Sequence, residues 1–216
     1  MGLATAQLAK KEGAHVIIVS RSSEKLQRAV EQLGDVKAIA ADMTNESDVE
    51  RIFRDMDHVD HIFVSAGSYF GAKVIGTDLE LFRSDVAQKF WGPLYIVRNA
   101  VPKMTNGSIT FLTGQLASRP DADSAVTSAL LAALETLAKG LALELAPIRV
   151  NTLAAGIIDT PLFGDSHDEA ALYASEHLHV KRMGSAEEVA QSVVLLMTNG
   201  FITGEVLHVD GGGRLV

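Results

Sequence analysis

Short runs of β-branched and aliphatic residues alternate with amphipathic runs along the whole chain, and this alternation constrains the fold most. Residues 15–20, 36–41, 61–66, 108–113, 148–154 and 205–209 read as strands, the first of them buried. Between them apolar residues return at helical spacing. Leu26, Val30 and Leu33 form one such set, and Val49, Ile52, Phe53 and Met56 another. Leu130, Leu134, Leu137, Leu141 and Leu145 make a long stripe. Ser185-Ala-Glu-Glu188 is a capping box that opens a last helix through Val189, Val193 and Leu196. Strand–helix alternation over one domain predicts an α/β fold: a doubly wound parallel sheet with helices on both faces. With 216 residues the expectation is one domain, residues 1–216, without repeats or linkers.

The start of the pattern is unusual. The first element reads as a helix, Gly2–Lys11, with no strand before it. A doubly wound sheet ordinarily opens with a strand, a Gly-rich turn and then that helix. The sheet is therefore expected to lack its usual first strand, as in a chain with a late start or a truncation.

Composition excludes several classes of function. The net charge is −8, so general affinity for nucleic-acid phosphates is not expected. There is no cysteine, hence no disulfide, thiolate nucleophile or thiolate metal site. No secretory signal is read at the N-terminus, and a cytoplasmic location is expected. The most apolar stretch, residues 126–146, holds Glu135, Lys139 and Glu144 and reads as a buried helix of a soluble protein, with no membrane partner. His177 and His179 stand two apart on an expected helix and face different ways, so no metal site is expected. No serine, histidine and acid form a recognisable triad.

Several motifs, taken in order, resemble the short-chain dehydrogenase/reductase family. They are Ser65-Ala-Gly67, Ala146-Pro-Ile-Arg-Val-Asn151, Ala155-Gly156 with Asp159-Thr160-Pro161, Arg182-Met-Gly-Ser-Ala-Glu-Glu-Val-Ala190, Ile202-Thr-Gly204 and Val209-Asp-Gly-Gly212. The resemblance implies a Rossmann-like fold. The absent strand would lie between the strands at 15–20 and 61–66, leaving a gap unless the sheet closes up or another segment fills it. Unpaired buried backbone groups there would cost roughly 1–3 kcal/mol each.

The resemblance also implies a nicotinamide dinucleotide site. Of the family's TGxxxGxG turn only Gly2 remains. Arg21, with Ser22 beside it and Lys25 one turn on, suits the 2′-phosphate of NADP better than the ribose of NAD; the plainer reading is a solvated arginine. Asp42 and Met43 match the segment that contacts adenine, although Asp42 equally suits a turn or a helix cap. Ser65, Ala66, Gly67, Gly156, Ile158 and Thr160 complete the implied set. Residues 163–180 match a mobile substrate segment. The family's helix pairing implies a homodimer or homotetramer through residues 81–104 and 123–146.

The family's catalytic positions are altered. Its reaction uses a phenol and an ammonium at Tyr-x-x-x-Lys, a serine that orients the substrate oxygen, and an asparagine that holds a water. Here the first two positions hold Thr127 and Leu131, for which helix packing is the plainer role. The serine falls near Thr113-Gly114, leaving Thr113 to orient an oxygen. The asparagine falls at Lys89, which either supplies the missing ammonium or is an ordinary helical lysine. Tyr69 and Lys73 repeat the spacing, but in a loop, where Tyr69 is a substitute acid at most. The resemblance implies an NADP(H)-dependent oxidoreductase acting on a small carbonyl or alcohol. The alternative is a catalytically silent cofactor-binding or assembly protein on the same fold.

Overall fold

The computed structural model describes residues 1–67 and 71–216. The chain opens with α1 (Gly2–Lys11), β1 (Ile17–Ser20), α2 (Ser23–Leu33), β2 (Lys37–Ala40), α3 (Glu46–Arg54) and β3 (His61–Val64). It continues with α4 (Leu79–Val86), α5 (Gly92–Ala100), β4 (Ser108–Gly114) and α6 (Ala125–Glu144). Then come β5 (Arg149–Ala155), α7 (His167–His177), α8 (Ala186–Thr198) and β6 (Val206–Val209). Local chemistry sets the helix starts. Ser22, Asn45 and Asp78 each accept a backbone N–H of the first turn they cap. At α8 the capping box forms as its sequence predicts. There Arg182 grips Glu188 through both guanidinium nitrogens at 2.9 and 2.7 Å. That grip, with the Ser185 N–H, brings the Glu188 pKa down to about 2.

All strand pairs are parallel, and the sheet is in two parts: β1–β2, and β3–β4–β5–β6. No described residue forms a strand between β1 and β3, so the gap implied by the resemblance stays open. β1 is less buried than its sequence predicts. Ile17 and Val19 are 40% and 43% exposed, since among the described residues β1 has a strand neighbour on one edge only.

The longest pairing, Ser108–Gly114 against Arg149–Ala155, is the spine of the molecule. On one face Val49, Phe53, Val97, Leu134 and Leu141 cover Ile109, Phe111 and Val150. On the other, Val189, Val193 and Leu196 cover Leu153 and Ile158. Arg149 ties strand to helix by donating to the carbonyls of Leu196, Met197 and Ile202 at the end of α8. Gly107 has φ +97°, and a Cβ there would stand 1.8 Å from the Asp60 carbonyl oxygen, so this tight entry to β4 requires glycine.

Two helices differ from expectation. Residues 81–104 are not one α-helix: a π turn, Ala87–Trp91, separates α4 from α5, and a 3₁₀ turn follows. α6 is long and apolar enough to cross a membrane by length and composition. It is not buried all round. Thr127, Ser128, Leu134, Ala138 and Leu141 are its buried residues, while Leu143 is 85% exposed.

Candidate active site

The carboxyl ends of parallel strands are where such folds bind ligands. At that edge an open cleft of about 500 Å³ is lined by Gly2, Lys25, Ser65, Thr160, Pro161 and Leu162. Three of the expected cofactor residues, Gly2, Ser65 and Thr160, thus meet from segments far apart in sequence. A Cβ on Gly2 would lie 2.6 Å from Ser65 Oγ, so glycine is what lets α1 approach the end of β3. The first turn of α1 has no acidic residue and no side-chain cap. Its free N–H groups and positive dipole end suit an anion. A pyrophosphate fits this cradle, with Lys25 adding a cation.

Other expected residues are placed as follows. Arg21 follows β1 and stands 3.7 Å from Asp42, both partly exposed. Asp42 also accepts from the N–H and hydroxyl of Thr44, which is turn chemistry. Ser22 accepts from Lys25 N and caps α2. Met43 packs into the core, and a Cβ on Gly92 would meet it at 3.0 Å. Ala66 and Gly67 lie exposed after β3. Gly156 permits another close approach: a Cβ there would stand 2.6 Å from Asp210 Cα. Ile158 buries its side chain in the core, while its carbonyl accepts from the Thr160 hydroxyl.

Residues 163–180 begin in a 3₁₀ turn, Pro161–Ser166, and continue as α7. His167 anchors this segment to Asp159 at 3.0 Å. Hydrogen bonds to Asp159 and Asp168 raise the His167 pKa. His177 stacks on Tyr173 within α7, and no described group of three or more His, Asp or Glu is placed to hold a metal.

The expected catalytic residues divide. Tyr69 lies outside the described residues. Thr113 does not line the cleft: its hydroxyl donates to Glu135 on α6 at 3.0 Å and approaches the Leu153 carbonyl. In this structure the hydroxyl makes a helix–sheet contact. Burial raises the Glu135 pKa, against the Thr113 hydrogen bond and the charges of His208 and Lys139. Leu131 packs beside Gly114, where it would meet an added Cβ at 3.6 Å.

Lys89 and Thr127, from the π turn and from α6, come together on a residue that sequence reasoning missed. Asp85 accepts from Lys89 Nζ with one carboxylate oxygen and from Thr127 Oγ1 with the other, at 2.9 Å. All three are buried. The ordinary helical lysine considered for Lys89 is thus corrected: its side chain turns inward to a carboxylate. The spacing of Asp85 and Lys89 was a readable signal, but the link to Thr127 spans 42 residues.

A family model described as enoyl-(acyl carrier protein) reductase matches residues 1–213. Carbonyl reductase family member 4 of Xenopus laevis is 30% identical over 100% of this chain and 94% of its own length. The 3-oxoacyl-[acyl-carrier-protein] reductase of Bos taurus is likewise 30% identical, over 100% and 94%. A solved small-chain dehydrogenase in complex with NADPH is 29% identical, with a TM-score of 0.81 over 94% of this chain and 100% of that one.

Proposed function

The chain belongs to the short-chain dehydrogenase/reductase family, and from that premise we propose that it is an NADP(H)-dependent oxidoreductase acting on a small carbonyl or alcohol. The observation that carries this reading is the cleft that gathers Gly2, Ser65 and Thr160 around the N-terminus of α1. There the α1 N–H groups and Lys25 hold the pyrophosphate. Arg21, at the end of β1, supplies a forked donor for a 2′-phosphate and trades its exposed contact with Asp42 for it. Bound there, the nicotinamide supplies or accepts a hydride. We assign the chain's own part, the proton on the substrate oxygen, to Lys89: Thr127 offers only an alcohol and Leu131 no polar group, and Tyr69 lies outside the described residues. The 163–180 segment covers the substrate.

One observation favours a second reading, a catalytically silent cofactor-binding protein: Leu131, an apolar side chain close to Gly114, stands where the family places its ammonium. NADPH titration and turnover separate the two. NADPH is expected to bind at least about tenfold more tightly than NADH, and Arg21→Asp is expected to narrow or reverse that difference. Equal affinity before mutation defeats the NADP assignment, and binding without turnover of any aldehyde, ketone or alcohol favours the silent protein.

The reading includes a second copy of this chain. Leu79, Phe82, Val86 and Trp91 line an apolar groove beside Arg83 on the α4 face, and apolar aromatic anchors favour burial between subunits.

A further inference from the structure

We propose that Asp85 is the positioning residue for Lys89, fixing the direction of its side chain toward the carboxyl edge of the sheet. Asp85 is 1% exposed and lies in the last turn of α4. Both of its oxygens are engaged, one by Lys89 Nζ and one by the Thr127 hydroxyl. The two partners reach it from different elements, so the carboxylate has one orientation and Lys89 has a fixed direction. The π turn Ala87–Trp91 carries Lys89, and such turns recur where a helix must re-aim a functional side chain.

Stability alone does not account for the arrangement. A buried ion pair is commonly no more stabilising than apolar residues of the same volume, because desolvating two charges offsets their attraction. This pair also lies near the N-terminus of α6, which follows β4 and therefore stands at the carboxyl edge of the sheet. Thr127 occupies the place of the family's phenol, yet its hydroxyl donates to a carboxylate. Its part is to lock Asp85, and the proton donor is Lys89.

The inference rests on the oxidoreductase reading, and the experiment keeps the two apart. Steady-state kinetics with NADPH and small aldehydes or ketones are compared for the unaltered protein, Asp85→Asn, Asp85→Glu and the apolar pair Asp85→Leu with Lys89→Met. Asp85→Asn is expected to lower kcat by about 100-fold with NADPH affinity unchanged, and Asp85→Glu to restore about a tenth of it. The apolar pair is expected to melt cooperatively and bind NADPH while losing turnover. A second readout is the ¹H–¹⁵N ammonium resonance of Lys89, visible when a carboxylate protects it and lost in Asp85→Asn. If Asp85→Asn keeps kcat within twofold, or keeps that resonance, the inference is overturned. An inactive unaltered protein overturns the oxidoreductase reading and the positioning role with it, and loss of the resonance in Asp85→Asn then reports a structural ion pair only.

Discussion

Single residues carry their meaning in this molecule through what they approach. Gly156 was readable as part of a cofactor segment only by resemblance. Its geometry supplies a physical reason, since the backbone of Asp210 lies where a side chain would be. Asp210 is itself held by Arg214 and by the N–H groups of Gly212 and Arg214. Burial pushes its pKa up, but those hydrogen bonds outweigh it and the net shift is downward. The spacing of Asp85 and Lys89 could be read locally, but the link from Asp85 to Thr127 could not, because no local pattern announces a contact across 42 positions. The contact of Thr113 was not legible for a related reason: a strand-end hydroxyl looks the same in sequence whether it faces a ligand or a helix, and here it donates to Glu135. The raised pKa of Glu135 gives a signed expectation. Its protonated form is favoured on folding, so its contribution is full below the ordinary value of 4.5 and is lost as the pH rises through the folded pKa. Glu135→Gln keeps an acceptor for Thr113 without the charge. Urea denaturation is expected to find the variant more stable at about pH 8, with the gap closing at about pH 4. A gap that is the same at both values removes burial of the charge as its cause.

Elements were more legible than contacts. Every strand forms within two residues of its predicted start, because short β-branched runs flanked by turns leave little choice. The capping box of α8 forms because its chemistry is local. The π turn was not legible, since the shift from α to π hydrogen bonding leaves the apolar pattern intact. The burial of α6 was overestimated for another reason. Apolar composition says that a face wants covering, and not that the same subunit covers it. Beyond the α6 stripe, the face formed by α4 and the π turn is also apolar, with Trp91 49% exposed and stacked on Tyr95. Light scattering at micromolar concentration is expected to give a dimer or tetramer, and Trp91→Glu to shift it toward monomer. An unaltered protein that is monomeric under those conditions would leave this face to another role.

The whole molecule was legible as an α/β fold with parallel strands and helices on both faces, and the resemblance implied a gap in the sheet, but that the gap stays open and leaves two sheets required the structure. Pattern identifies strands one at a time, whereas partnership between them depends on which edges meet. The division has an energetic consequence. The β1–β2 pair is short, partly exposed and paired with no described strand on its β1 side, while β4–β5 is buried and seven residues long. The two sheets are therefore expected to open with different free energies, the smaller one as a separate low-stability unit. Amide hydrogen exchange is the direct measurement: residues 17–20 and 37–40 should lose protection well before residues 108–114 and 149–155. Arg21 stands at the carboxyl end of the weaker unit, so a ligand that grips Arg21 while seated on α1 and β3 would bind only the folded form of that unit. NADPH is then expected to slow exchange in β1 and β2 far more than in β4 and β5. Part of its binding energy would go into keeping that unit shut, so affinity at Arg21 would depend on how often the smaller sheet breathes.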